Sequence, residues 1–247
     1  MTKKHYRSVF ISDCHLGFKR NSTDKLTIFL EGMVCENLYL VGDIIDFWEL
    51  DSKRVWLESD TEVIRQMILK KQNNKTNIYY VIGNHDGILR KHLNDISLAG
   101  IYFCNEMTHI GVNGSSYLVV HGDLFDNAAP VWNIVSKMGG RAYSFSLLLN
   151  KWVNGARHLV GKEPWSFSVF LYENVKSAVG SNHYIKQFEK HMVEYCKGRY
   201  DGAICGHVHR AVIKDTHGLI YMNCGDFVES CTALVEHANG SFEIIYC

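Results

Sequence analysis

Residues 9–18 read VFISDCHLGF, an apolar run that ends in an aspartate and a histidine two positions apart. The first half of the run is typical of a buried strand, and Asp13 and His15 follow at its carboxyl end. A single D-x-H triplet is common by chance, and a strand closed by a polar turn is the simpler explanation for it. The rest of the chain decides between a turn and a site.

Similar polar clusters follow four further apolar runs. GDIID supplies Asp43 and Asp46, and GNHD supplies Asn84, His85 and Asp86. Later in the chain, HGD supplies His121 and Asp123, and GHVH supplies His207 and His209. The carboxyl ends of strands are where α/β sheets build binding sites, and glycine allows the tight turns that such sites need. We therefore predict that the five clusters converge on one site.

The residue types in these clusters indicate metal chemistry. Carboxylate, imidazole and amide oxygen suit divalent first-row metals, whereas structural zinc prefers thiolates. So many ligands suit two ions, because one carboxylate can bridge two cations about 3.5–4 Å apart. Such a pair can hold a hydroxide that attacks a phosphoryl group. The sequence predicts a hydrolase of phosphate esters or anhydrides that uses two divalent ions, with Mn²⁺ expected and Fe, Co or Zn as alternatives.

Strands and helices alternate through the first hundred residues. RSVFISD, NLYLVGD and NIYYVIGN predict strands, which are separated by a helix that runs to about Cys35 and by the amphipathic segment DTEVIRQMILKKQ. From about Ile101 onward shorter strands follow, with hairpin signals at HANG and DTHG. We expect a first sheet with crossover helices and then a second, more antiparallel sheet that contains the strands after Ile101.

Residues from about 125 to 180 interrupt this β-rich half. They are rich in aromatic residues and Leu, and their helical spacing with Gly and Pro breaks predicts two or three helices. Between Asp126 and Gly180 six basic residues face three acidic ones, so the segment is net basic. Either its aromatic residues form an ordinary helix core, or the segment is a lid that binds an anionic and partly apolar ligand.

Composition narrows the class of protein. Of the 247 residues 47% are hydrophobic, and 26 Lys and Arg balance 26 Asp and Glu, so no overall basic excess indicates nucleic-acid binding. Eight cysteines without a C-x-x-C pair, and no secretory leader, predict a reducing cytoplasm. No apolar run reaches the ~20 residues of a membrane span. We expect a protein that is soluble or lies on a membrane surface, and the sequence carries no signal for an oligomeric state.

In this order, D-x-H, G-D-x-x-D, G-N-H-D, H-G-D and G-H-x-H resemble the blocks of the calcineurin-like metallophosphoesterase superfamily. The resemblance implies a four-layer α/β/β/α sandwich of two mixed sheets flanked by helices. It implies one domain over residues 1–247, with a helical insertion at about 125–180. Carried over by position, the resemblance implies that one metal is held by Asp13, His15 and His209, that the other is held by Asn84, His121 and His207, and that Asp43 bridges the two. It implies that His85 stabilises the transition state or protonates the leaving oxygen. The remaining matched positions, Asp46, Asp86 and Asp123, are expected to orient the ligands or to form turns.

A narrower resemblance rests on LYLVGDIIDFWEL and NCGDFVESCTALVEH, which are similar to segments of the UDP-2,3-diacylglucosamine diphosphatase family and its close paralogues. Members cleave the pyrophosphate of a UDP-linked diacylated glucosamine during lipid A synthesis, giving UMP and a lipid monophosphate. The resemblance implies a nucleotide-linked lipid substrate. It also implies a cytoplasmic location, with peripheral association at the inner face of the cytoplasmic membrane through the insertion.

One position departs from that narrower family. The best-known branch has arginine where this chain has His85, so the chain is nearer to a G-N-H-D paralogue group. Two alternatives stay open, a nuclease or general phosphodiesterase with the same metals, and a non-catalytic scaffold. No extended basic-aromatic run outside the insertion suits a nucleic-acid groove, and no expected ligand is missing, as it would be in a decayed site.

Overall fold

The computed structural model describes residues 3–18, 21–53, 55–93, 100–126 and 181–247. The chain divides into two units, Met1–Leu124 with His191–Cys247, and Phe125–Lys190. The helices predicted for residues 125–180 lie outside the described residues, apart from residues 125 and 126. In the part of the chain that is described, every helix is too short or too polar to cross a bilayer.

Eleven strands and four α-helices make up the described regular structure. The strands are β1 (Lys4–Ile11), β2 (Met33–Val41), β3 (Asn77–Val81), β4 (Tyr102–Cys104), β5 (Glu106–Ile110), β6 (Ser116–Val120), β7 (Gly202–Cys205), β8 (Val212–Thr216), β9 (Leu219–Asn223), β10 (Thr232–Glu236) and β11 (Phe242–Tyr246). The helices are α1 (Thr23–Gly32), α2 (Phe47–Lys53), α3 (Glu58–Asn74) and α4 (Ser181–Cys196), and two short 3₁₀ helices span Gly87–His92 and Asp123–Phe125.

The strands form two mixed sheets. The first has the order β11-β10-β1-β2-β3-β4. The strands β1 to β4 are parallel to one another, and β10 is antiparallel to both of its neighbours, β1 and β11. The second has the order β5-β6-β7-β9-β8, with parallel pairing in the centre and one antiparallel strand at each edge. The prediction of an α/β fold with two mixed sheets flanked by helices is confirmed.

Sheet membership corrects two details of the prediction. The strands β4, β10 and β11 belong to the first sheet, and the second sheet has as many parallel as antiparallel pairings. The HANG and DTHG hairpins are present as β10–β11 and β8–β9. The local sequence shows that β10 and β11 form a hairpin, but it does not show which sheet the hairpin joins.

Alternate residues of β1 face different layers. Val9 and Ile11 lie in an apolar cluster with residues of α1 and α3, whereas Phe10 lies in a second cluster with residues of β6, β7 and β9. The helices therefore cover one face of the first sheet, and the second sheet covers the other. Such a strand, buried on both faces, explains the continuous apolar run that precedes Asp13.

Helix boundaries differ slightly from those predicted. The helix α1 ends at Gly32 rather than near Cys35, because the chain enters β2 directly at Met33. The helix α3 contains the predicted amphipathic segment, and the Asp60 carboxylate accepts a hydrogen bond from the Leu57 N–H at its start (2.9 Å). The helices α2 and α4 were not predicted.

A buried polar chain connects the two sheets. The hydroxyl of Tyr39 on β2 forms a hydrogen bond with His109 Nδ1 (2.9 Å), and His109 Nε2 forms one with Glu236 Oε2 of β10 (2.9 Å). Arg7 of β1 completes the chain with an ion pair to Glu236 (2.9 Å). Burial raises the pKa of Glu236, but the hydrogen bonds from His109 and the Val112 N–H outweigh it and lower that pKa to about 2.

We expect Glu236→Gln to lower the free energy of unfolding at pH 7 by about 1–3 kcal/mol, because it leaves Arg7 and His109 without their buried anion. The pKa of Glu236 is depressed in the folded state, so its contribution is complete above about pH 4.5 and is lost as the pH falls towards 2. The difference between variant and wild type in urea unfolding should therefore shrink between pH 5 and pH 3.

The matched control is Glu243→Gln. Glu243 pairs with His237 (2.8 Å) on the surface, and its side chain is 55% exposed. Surface pairs contribute about 0–1 kcal/mol, so this variant should change little. Equal effects of the two substitutions would contradict the role assigned to the buried chain.

Candidate metal centre

The five polar clusters lie at the carboxyl ends of strands in both sheets. Asp13 and Asp43 come two residues after β1 and β2, and Asn84 comes three residues after β3. In the second sheet His121 directly follows β6, and His207 comes two residues after β7. Because these strands are parallel within each sheet, their carboxyl ends meet at one edge and the predicted convergence occurs there.

Five predicted site residues have left-handed backbone conformations. Asp13, His15, Asp43, His207 and His209 have φ between +46° and +68°, and only three other non-glycine residues of the described chain have positive φ. Each such residue costs roughly 1–2 kcal/mol. Backbone hydrogen bonds between the loops, from Asp13 N to Gly42 O (3.1 Å) and from His15 N to Asp43 O (3.0 Å), help to hold these turns. Strain concentrated in this way is typical of functional sites.

Three overlapping groups of side chains could hold a metal ion, since their donor atoms lie within 4.8 Å of one another. The groups are Asp13 with His15 and His209, Asp13 with Asp43 and His121, and Asp43 with His15 and His85. Each of the two carboxylates belongs to two groups. The arrangement is one continuous cluster, which is what a centre for two ions requires.

The first group surrounds Asp13. His209 Nε2 lies 3.1 Å and His15 Nε2 lies 3.9 Å from Asp13 Oδ1. The other oxygen, Oδ2, accepts hydrogen bonds from the His207 N–H (3.0 Å) and from the Ser12 hydroxyl. The contacts of Oδ2 fix the carboxylate and direct Oδ1 towards the two imidazoles.

The second group surrounds Asp43. His121 donates from Nδ1 to the Val41 carbonyl (2.9 Å), which directs its Nε2 to within 3.2 Å of Asp43 Oδ2. A carbonyl can only accept, so Nε2 is the nitrogen that is left for a metal. The His207 ring lies beside the His121 ring, with 5.2 Å between their centroids.

Three atoms of the predicted metal ligands are buried and have no well-aligned hydrogen-bond partner among the described residues, which supports a metal site. They are Asp13 Oδ1, His121 Nε2 and Asn84 Oδ1. Buried polar atoms are normally paired, and an unpaired one costs free energy. A carboxylate oxygen, an imidazole nitrogen and an amide oxygen all offer lone pairs, so these residues fit divalent cations.

Charge within the cluster keeps the carboxylates ionised. Burial raises the pKa of Asp13, but His209 and His121 outweigh it and hold that pKa well below its usual range. For Asp43, His121 likewise overcomes burial and lowers the pKa to about 2. Conversely, Asp13 overcomes burial at His209 and raises its pKa to about 9. Ionised carboxylates are the form that binds metals, and the imidazoles must release their protons when a metal binds.

Asp46 connects two histidines of the cluster. Its Oδ2 bonds to His15 Nδ1 (3.0 Å), and its Oδ1 lies 3.0 Å from His85 Nδ1. Its Oδ1 also accepts the Glu49 N–H (2.9 Å) in the first turn of α2. This single carboxylate orients both rings and starts the helix.

Asp86 and Asp123 also support neighbouring structure. Asp86 accepts hydrogen bonds from the Ile44 N–H (3.0 Å) and the Tyr80 hydroxyl (2.7 Å), and burial together with nearby Asp43 raises its pKa to about 6. Asp123 forms an ion pair with Arg90 (2.9 Å). Both side chains interact with protein groups that surround the cluster.

A sixth polar cluster, NCGD at residues 223–226, was not predicted to take part. Asn223 donates from Nδ2 to the Gly206 carbonyl (2.6 Å) and accepts the Gly225 N–H (2.9 Å). The turn that Asp226 caps places the Phe227 N–H on the Asp13 carbonyl (3.1 Å). The signal was available, because Asn223 ends a buried strand just as the other clusters follow theirs.

Comparisons with known proteins match this chain to one family and to several relatives. The family model described as calcineurin-like phosphoesterase matches residues 6–211. Proteins named UDP-2,3-diacylglucosamine hydrolase from Shewanella baltica (strain OS195) and Shewanella sp. (strain MR-4) are 27% and 26% identical over 241 residues, which is 95% of this chain and 95% of each relative. A solved structure described as a novel archaeal phosphodiesterase is 13% identical, with a TM-score of 0.47 over 97% of this chain and 99% of that chain.

We expect Asn223→Ala to weaken the binding of divalent metal by roughly 10–100-fold, because it releases the Gly206 carbonyl that precedes His207 and His209. Titration calorimetry with Mn²⁺ measures the change. Asn239→Ala is the control, since Asn239 accepts the Ser241 N–H (3.0 Å) in an exposed turn of the same kind. If both folded variants bind Mn²⁺ like the wild type, Asn223 does not position the ligands.

Proposed function

The chain belongs to the calcineurin-like phosphoesterase family of hydrolases, and we propose that it cleaves the pyrophosphate bond of a UDP-linked diacylglucosamine-type lipid. The products are UMP and a lipid monophosphate. The observation that carries the hydrolytic part is the cluster of Asp13, Asp43 and four imidazoles at one edge of both sheets. The substrate is supported by the relatives named UDP-2,3-diacylglucosamine hydrolase, which match over 95% of the chain.

We assign two metal positions to this cluster. Asp13, His15 and His209 would hold one ion, Asn84, His121 and His207 would hold the other, and Asp43 would be the ligand that both ions share. When bound, the two ions lower the pKa of water to make a nucleophile and neutralise charge on the phosphoryl oxygens. The mixed oxygen and nitrogen donor set suits Mn²⁺, with Fe, Co or Zn as substitutes.

We assign to His85 the role of stabilising the phosphoryl group in the transition state or of protonating the leaving oxygen. The backbone N–H of His85 donates to Asp43 Oδ1 (2.8 Å). The ring Nδ1 of His85 faces Asp46, and its Nε2 lies 4.0 Å from Asp43 Oδ2. Burial lowers the pKa of His85, but Asp46 and Asp43 outweigh it and raise that pKa. The side chain is 24% exposed, so a protonated Nε2 can donate to a substrate oxygen beside the metals.

The amphiphilic character of the substrate rests on sequence. Residues 125–180 combine aromatic residues with a basic excess, which suits acyl chains attached to a dianionic bridge. We assign them the role of a lid that binds the lipid, and we place the enzyme in the cytoplasm or at the inner face of the cytoplasmic membrane. The lack of an extended basic-aromatic run outside residues 125–180 disfavours a nuclease, and the presence of every predicted ligand disfavours a scaffold.

The test of substrate class is an assay of the purified protein with Mn²⁺ on four substrates. These are UDP-2,3-diacylglucosamine, a water-soluble nucleotide sugar, a phosphodiester dye and single-stranded DNA. We expect the highest kcat/KM on the first, because only it presents both the pyrophosphate and the acyl chains. Equal or greater activity on the dye indicates a general phosphodiesterase, preference for DNA indicates a nuclease, and inactivity on all four indicates a scaffold.

We expect Asp43→Asn to reduce hydrolysis by several orders of magnitude, because the amide keeps the shape of the side chain but not the charge that both ions share. Steady-state kinetics and metal analysis on the same preparation check this. Asp24→Asn, an exposed position on α1, is the control. Retention of more than about a tenth of the wild-type rate would exclude a two-metal centre bridged by Asp43.

A further inference from the structure

Trp48 covers one face of the His85 ring. The two ring centroids are 4.0 Å apart, and the ring planes are inclined by 32°. Trp48 belongs to the first turn of α2 and is 41% exposed, so it lies at the surface of the site rather than in the core. None of the functions assigned above uses this residue.

The contacts of His85 show why a face contact matters. His85 Nδ1 is a buried atom 3.0 Å from Asp46 Oδ1, and it has no well-aligned hydrogen bond to any residue in the described part of the chain. The His15 ring meets the His85 ring edge-on, with 4.6 Å between centroids and 89° between planes. The Asp46 contact decides which ring nitrogen faces the carboxylate, whereas an aromatic ring packed on its face restricts the plane of the imidazole.

The same carboxylate connects both partners of the stack. Asp46 Oδ1 faces His85 Nδ1 and also accepts the Glu49 N–H in the turn of α2 that carries Trp48. Asp46 therefore contacts both the imidazole and the helical turn that carries Trp48. Asp46, Trp48 and His85 form one local unit beside the metal cluster.

We propose that Trp48 is a positioning residue that holds the His85 imidazole so that Nε2 points at the phosphoryl group bound to the metal centre. The proposal rests on the role of His85 in the proposed function. Packing on its face restricts the plane of the imidazole, and the Asp46 contact at Nδ1 leaves Nε2 as the nitrogen that faces away from Asp46. A misplaced catalytic group reacts far more slowly. Because Trp48 acts through His85, its loss reduces kcat and leaves KM for a small substrate nearly unchanged.

The experiment is a double-mutant cycle in the Mn²⁺-loaded protein with bis(4-nitrophenyl) phosphate as substrate. His85→Ala is expected to lower kcat by roughly 10²–10⁴-fold without loss of metal. Trp48→Ala is expected to lower it by about 10–100-fold, and Trp48→Phe should recover most of that loss because it restores a ring. In the His85→Ala background, Trp48→Ala should have almost no further effect, because the group that it positions is absent.

Trp56→Ala is the matched control. Trp56 is 40% exposed, and its indole N–H donates to the Thr61 hydroxyl (2.8 Å). Its removal should leave kcat unchanged, and all variants should match the wild type in metal content and unfolding midpoint.

Two kinds of result would overturn the proposal. If Trp48→Ala resembles Trp56→Ala, or slows the enzyme equally with and without His85, the positioning role is wrong while the proposed function stands. If the wild type hydrolyses none of the four substrates, or His85→Ala is fully active or loses a metal ion, then the role of His85 is wrong and the positioning role fails with it. If the wild type hydrolyses only UDP-2,3-diacylglucosamine, the same cycle is measured on that substrate.

Discussion

Repulsion between two buried carboxylates, Asp13 and Asp43, is the constraint on which the rest of the structure depends. Each is almost fully excluded from solvent, and each belongs to a group of donor atoms within 4.8 Å of one another. Burial of like charges is unfavourable unless cations compensate for it. His209 beside Asp13 and His121 beside Asp43 offset part of that cost, and metal ions bound by the proposed ligands would offset the remainder. The strained turns, the orienting carboxylates and the unpaired donor atoms all surround this pair.

Much of the site could be predicted from the sequence, because its signals are local. A buried strand that ends in a polar residue identifies itself by composition, and parallel strands bring their carboxyl ends to one edge. The predicted residues Asp13, His15, Asp43, His85, His121 and His209 do lie together, and His207 lies beside His121. The side-chain oxygen of Asn84 is buried and has no hydrogen-bond partner among the residues that the structure describes. Their division between two ions remains a proposal, because distances among the ligands alone do not assign each one to an ion.

Other features depend on tertiary contacts that a local pattern does not contain. All five residues of β10 are buried, and this pattern fits either sheet equally well. The helix α2 has only seven residues and lacks a clear apolar period, so its existence depends on the Asp46 carboxylate at its start. The segment NCGD contributed to the family resemblance, but the role of Asn223 could not be predicted from it. Nothing in this segment shows that the side-chain amide of Asn223 reaches the Gly206 carbonyl.

The polar chain from Tyr39 through His109 to Glu236 also affects how the protein can evolve. Apolar side chains between two sheet faces tolerate volume-conserving exchanges, because dispersion contacts have little directional preference. Hydrogen bonds are directional, so this chain fixes the register of one sheet against the other. Asp13 and Asp43 follow strands of the first sheet, whereas His121 and His207 follow strands of the second. Substitutions can therefore accumulate in the apolar layer between the sheets, while the predicted metal ligands of the first sheet keep their position relative to those of the second.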